Sequence, residues 1–172
     1  KQICAYARGY EAQVGSTKYT MLENAIKNAS AGSTVEIIAS SLDSQENVIE
    51  KNLTITTSTG NTATITRDTY LQTEFTDGVF TAGSGATVNI GGSIIIDGGN
   101  WQNTTYLTRS RAIVVYRNGT LNITATRLDI KNFNNGIGTE MIGGAIYVNG
   151  TLNVSGKLTC YNNTAAKGGA IY

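Results

Sequence analysis

The chain has 172 residues, a formal charge of +1 and 15% charged residues, against roughly 25% in an ordinary soluble protein. That balance excludes a nucleic-acid or anionic-membrane surface, which needs clustered cations. With neither Pro nor His, and with Thr, Asn, Ser and Gly replacing charge, the composition points to regular extracellular β structure rather than a cytosolic enzyme.

Residues 1–33 read as a lead-in segment followed by one helix. Thr20-Met-Leu-Glu23 has the pattern of a capping box, and Leu22, Ala25, Ile26 and Ala29 fall on one helical face. Gly32 stands where a helix stop belongs. From residue 34 onward the pattern turns to short strands with alternating apolar positions: Thr34–Ile38, Leu53–Thr56 and Ala63–Thr66.

Three stretches then align: residues 85–99, 119–135 and 150–163. Val88-Asn-Ile90, Leu121-Asn-Ile123 and Leu152-Asn-Val154 correspond, and Ala112–Tyr116, Ala145–Val148 and Ala170–Tyr172 form a second set. The spacing is about 25–33 residues, the range of repeat architectures. Asn-Gly turns between strands also signal hairpins, so an antiparallel meander is the competing topology. Identical strands are best buried by stacking each on its own copy, because one repeat cannot bury its inward face alone. The expectation is an all-β chain folded as a parallel β-solenoid over 34–172, forming a single domain with the helix. That helix would cover the open edge of the first coil.

The pentapeptide Gly143-Gly-Ala-Ile-Tyr147 returns as Gly168-Gly-Ala-Ile-Tyr172, so a new coil begins where the sequence stops. This leads to the expectation of a longer stack, truncated within a repeat. No apolar run approaches the roughly 18 residues of a membrane span, and no signal peptide is visible at Lys1. Cys4 and Cys160 are too few for a disulfide scaffold. Cys160, inside an apolar strand pattern, is expected to pack as a small hydrophobe.

The segment Val14–Ile26, followed by Ala31–Ile38, resembles the N-terminal cap and first coil of bacterial surface proteins with a right-handed parallel β-helix. The GGAIY repeats, with Asn162-Asn-Thr-Ala165 between them, are similar to the GGA(I/V) and FxxN repeats of polymorphic outer-membrane and adhesin-like proteins. In that register Cys160 or Tyr161 takes the aromatic place, and Phe133 in Asn132-Phe-Asn-Asn135 is nearer the pattern. The architecture is also that of pectate lyases and polygalacturonases, so function has to be argued from the site.

A glycosidase needs two carboxylates about 5–9.5 Å apart. Asp97 and Asp129 fall near-equivalently in the repeat, although Asp97 before Gly-Gly is more economically a turn residue. There is no His to act as general acid. Arg109 and Arg111 lack the neighbouring acids that a Ca²⁺-dependent lyase requires. The connection from Gly98 to Arg111 departs furthest from minimal length and holds the only Trp. There Trp101 and Tyr106 suit stacking on a sugar face, with Asn103, Arg109 and Arg111 hydrogen-bonding hydroxyls or a carboxylate. Trp101 folded back on the stack, filling a gap, is the alternative. Gly136–Ile142 is a second loop of the same kind. Thr54-Ile-Thr56 and Thr64-Ile-Thr66 suggest an ice-binding ladder, but later strands carry Asn instead. Asn118-Gly-Thr120 and Asn149-Gly-Thr151 are sequons that recur because the turn recurs.

Together these readings give an extracellular, cell-surface module for adhesion, or the stalk of an adhesin. It would be non-catalytic and free of metal or cofactor, with host or environmental glycans, surface proteins, or further repeats and stacked copies as partners. A polysaccharide-active enzyme of pectate-lyase type and a structural spacer or filament subunit are the alternatives.

Overall fold

The computed structural model of the chain describes residues 9–67, 78–99, 111–135 and 142–172. These are mostly β-strand, with one helix among them. Strands β1 (Ala12–Val14) and β2 (Thr17–Tyr19) form an antiparallel hairpin, and helix α1 (Leu22–Asn28) follows. The strands then come in threes. The first circuit is β3 (Thr34–Ile37), β4 (Ser41–Ser44) and β5 (Val48–Ile49). The second is β6 (Leu53–Thr57), β7 (Ala63–Arg67) and β8 (Gly78–Ala82); the third is β9 (Thr87–Ile90), β10 (Ser93–Asp97) and β11 (Arg111–Val115). The fourth is β12 (Thr120–Ile123), β13 (Arg127–Lys131) and β14 (Ile146–Val148), followed by β15 (Thr151–Val154) and β16 (Leu158–Tyr161).

Successive strands of a circuit enter three different sheets. The first sheet has the order β15-β12-β9-β6-β3-β1-β2, the second β16-β13-β10-β7-β4, and the third β14-β11-β8-β5. Strands of successive circuits pair in parallel, like on like. Val88, Leu121 and Leu152 form one column, and Ile90, Ile123 and Val154 the next. The recurring pentapeptide follows the same rule: Ile146 and Ile171 form a parallel bridge, and Ala145 and Ile146 N–H groups both donate to Ala170 O at 2.9 Å. The meander is thereby excluded for these strands.

In the first two sheets the alternation is as the sequence predicts, with β6, β7, β9, β10 and β12 buried on every second residue. The inward residues, among them Ile55, Ile65, Ile90, Ile94, Ile123 and Ile130, form one core. The third sheet departs from the pattern. Every residue of β8 and β11 is buried, so Val79, Thr81, Ala112 and Val114 are as inaccessible as their inward neighbours. The uninterrupted run Ala112-Ile-Val-Val115 fits this, since strands buried on both faces read as continuous apolar runs.

Two expectations for the first 33 residues need correction. The lead-in carries a hairpin, whose β1 pairs antiparallel with β3 and extends the first sheet by two strands. The helix is also not held by a Thr20–Glu23 capping box. Its N-cap is Met21, with no side-chain cap bond. Instead the Leu22 N–H donates to Glu11 Oε2 at 2.9 Å. Glu23 Oε1 accepts from Ser44 Oγ and the Gln45 N–H, both at 2.9 Å, which ties α1 to the first circuit. The helix ends at Asn28, before Gly32; the Gly32 N–H donates across to Asn52 O at 2.7 Å. The apolar face is as expected: Leu22, Ala25 and Ile26 are buried in the core.

Candidate functional site

The corner between the second and third sheets is where the chain varies most. Its connections are 45–47, 68–77, 98–110 and 132–145, whereas those between the third and first sheets are 50–52, 83–86, 116–119 and 149–150. The long connections therefore leave a regular framework at one place, as binding loops commonly do.

The framework at this corner is built from asparagines. Lys131 pairs with Tyr161, and the residues that follow, Asn132 and Asn162, both take positive φ, 61° and 54°. Asn tolerates this left-handed region better than most residues. One residue on, Phe133 is fully buried, while its counterpart Asn163 accepts the Phe133 N–H at 3.0 Å and donates to Ile130 O at 3.0 Å. The position filled by Phe133 in one circuit is thus filled by an amide in the next. Asn135, fully buried, donates through Nδ2 to Ile142 O at 2.8 Å and to Gly143 O at 3.3 Å. It thereby closes the neck of the connection that leaves after it.

Asp97 sits at this corner as a turn residue, as the economical reading held. Its Oδ1 accepts the Gly99 N–H and the Asn132 amide, each at 2.9 Å, and its Oδ2 lies 3.0 Å from Lys131 Nζ. Burial works to raise its pKa, but the donors from Gly99, Asn132 and Lys131 outweigh burial and hold the carboxyl below its ordinary value. The near-equivalence of Asp97 and Asp129 is corrected by the register. Asp97 lies opposite Lys131, and Asp129 lies opposite Ile95. Asp129 is held by Arg127, at 2.7 Å through Nε and 2.5 Å through Nη2. Both carboxylates are thus engaged by donors of the framework, each with its own set. Arg67, inward-facing and 2% exposed at the end of β7, is pushed down to about 10 by burial, with Glu46 acting in the opposite sense.

Of the five predicted binding residues, Trp101, Asn103, Tyr106 and Arg109 lie outside the described residues, as does 136–141 of the second loop. Arg111 is described, and it is buried rather than presented to solvent. Its Nε donates to Ile142 O at 2.9 Å, and its guanidinium lies 4.8 Å from the centre of the Tyr147 ring. Ile142 O thus accepts from both Asn135 and Arg111, so Arg111 serves the framework. Sequence reasoning missed Asn132, Asn135, Asn163 and Lys131; the asparagine-rich segments that follow β13 and β16 were the signal for the three amides. Cys160 packs against the core as expected, and burial, then the Asp129 charge, pushes its thiol up. Cys4 is outside the described residues.

No group of three His, Cys, Asp or Glu among the described residues is placed to hold a metal ion, and no described helix is long and apolar enough to cross a membrane. No protein-family model, curated protein or solved structure matches the chain.

Proposed function

We propose that the chain is a right-handed parallel β-helix module of a cell-surface protein, capped at its N-terminal end by α1 and the β1–β2 hairpin. It acts outside the cell in adhesion, as a glycan-binding element or as the stalk that presents one. The observation that carries this reading is the contrast between corners. Like-on-like pairing keeps the three sheets uniform, and the variable connections leave at the corner between the second and third sheets. A rigid repeat with diversity at one edge suits display of a contact surface rather than catalysis. The residues to present are Trp101, Asn103, Tyr106 and Arg109, with Arg111 anchoring the end of their connection. Host or environmental glycans and surface proteins are the partners, and no cofactor is required.

A glycan array probed with the purified chain, and again with Trp101→Ala, tests the reading. Binding by the parent that the variant loses is the expected result. A parent that binds no glycan, or a variant that binds unchanged, removes the glycan assignment. Release of unsaturated uronides from pectin would replace it with the lyase reading.

A further inference from the structure

The corner between the first and second sheets holds a recess lined by none of the candidate-site residues described above. Its connections are 38–40, 58–62, 91–92, 124–126 and 155–157, so the longest, Ser58-Thr-Gly-Asn-Thr62, stands beside the shortest, Gly91-Gly92. A projecting loop next to a minimal turn leaves a notch, and Thr126 of the following circuit supplies the far wall. The cavity is about 390 Å³ and is lined by residues 57–62, Gly92, Ser93 and Thr126.

The notch is held open by specific contacts. Gly60 takes a φ of +79° at the loop tip, and the Asn61 amide ties the loop back to Ala39 O at 3.1 Å. The floor is set by the Ser93 N–H on Thr57 Oγ1, at 3.0 Å, and by the Thr62 and Ser93 hydroxyls, 3.0 Å apart. Thr126 Oγ1 donates to Gly92 O at 2.9 Å. Gly92 has a φ of +69°, and a Cβ there would lie 2.4 Å from Thr57 Oγ1 and 2.6 Å from its nitrogen. The floor therefore admits no side chain at that position.

Every lining side chain is uncharged; Ser58, Thr59, Thr62, Ser93 and Thr126 bring hydroxyls to the lining, while Thr57 is buried beneath Gly92. Each hydroxyl both donates and accepts. Such a set matches a ligand that does the same over its whole surface and carries no charge, and the volume falls within the range of small-molecule sites. We propose that this notch binds one neutral sugar unit, a hexose or an N-acetylhexosamine. It lies at a different corner from the surface assigned above and stands independently of that reading.

The test is a titration of the ¹⁵N-labelled chain with glucose, galactose, mannose and N-acetylglucosamine, followed by amide shifts. The expected result is a saturable change at Ser58, Gly60, Gly92, Ser93 and Thr126 with at least one sugar. Ser93→Ala with Thr126→Val should weaken that binding roughly five- to tenfold, about the worth of one or two hydrogen bonds. Thr59→Arg, at an exposed loop tip bearing no framework bond, should abolish it while leaving the melting transition in place. The proposal is overturned if no sugar shifts these amides saturably, if shifts appear only around Arg111 and Tyr147, or if folded Thr59→Arg binds as the parent does. Shifts around Arg111 alone would leave the glycan surface of the loop corner standing and remove this one.

Discussion

Tyr147 and Tyr172 stack ring on ring, with centroids 6.2 Å apart and planes 11° from parallel. They are the same letter of the recurring pentapeptide, one circuit apart. The first letters agree as well: Gly143 and Gly168 take φ values of 71° and 60°, and the Gly143 N–H donates to Lys167 O at 3.0 Å. Side chains and backbone thus obey a single translation from one copy to the next.

Such close layering makes some glycines irreplaceable. A Cβ on Gly150 would lie 2.4 Å from both Gly119 O and Tyr116 O, which are backbone atoms that cannot rotate away. Gly150→Ala should therefore cost about 2–3 kcal/mol of unfolding free energy, a typical penalty for overpacking. Gly9→Ala, where a Cβ meets nothing within 4 Å, should be close to neutral. Urea unfolding of both variants checks this, and equal midpoints would speak against the layering.

On the outer face of the first sheet the amides form a ladder of one polarity. Asn153 Nδ2 donates to Asn122 Oδ1 at 2.9 Å, and Asn122 Nδ2 donates to Asn89 Oδ1 at 2.8 Å. The ladder continues from Asn89 Nδ2 to Thr54 Oγ1 at 3.4 Å. Asn122→Ala removes two of these bonds from a half-exposed site and should cost about 1–2 kcal/mol. Asn122→Asp keeps the acceptor for Asn153 but sets carboxylate against the Asn89 carbonyl, so it should destabilise too. An Asn122→Ala protein with an unchanged denaturant midpoint would contradict the ladder.

The helix N-terminus offers a test of which carboxylate caps it. Glu11→Ala, which removes the acceptor of the Leu22 N–H, should cost about 1 kcal/mol, the usual worth of a lost cap. Thr20→Ala should change thermal unfolding little, because no side-chain cap bond comes from the N-cap region. The reverse order of effects would restore the capping box.

Asp97 gives a pH dependence whose sign is fixed. Its carboxyl is held below its ordinary value by Gly99, Asn132 and Lys131, against burial. The ionised form is therefore favoured in the folded state, and its contribution is complete above the unfolded pKa of about 3.9. It is lost as pH falls through the lower folded value. The stability difference between parent and Asp97→Asn should be flat above about pH 5 and shrink below pH 4. Lys131, raised by the same pair, contributes below its ordinary value and loses this as pH rises through the raised one. A difference that grows on acidification would refute the assignment.

The stacked repeats were legible because like letters recur: Val88, Leu121 and Leu152 fall in one column, as their local sequences require. What stayed hidden depends on residues far apart in sequence. Thr20-x-x-Glu23 matches a local motif, yet Glu23 is drawn off to Ser44 and Gln45, and Glu11 takes the cap. Asp97 and Asp129 look equivalent by residue spacing, but connections of unequal length shift the register so that Asp97 meets Lys131. The covered third sheet was written in Ala112-Ile-Val-Val115 and passed for an ordinary strand. Arg111 was readable as a functional type of residue, whereas its partners Ile142 and Tyr147 are tertiary facts.

Cross-strand NOEs from a uniformly labelled sample test the stacking of like on like most directly. Parallel, in-register pairing places Leu121 beside Leu152 and Val88, and Ile113 beside Ile146 and Phe80, so those backbone contacts should appear. Contacts joining Val115 to Asn122 and Ile113 to Thr124, as an antiparallel hairpin about Asn118-Gly119 would produce, would contradict it.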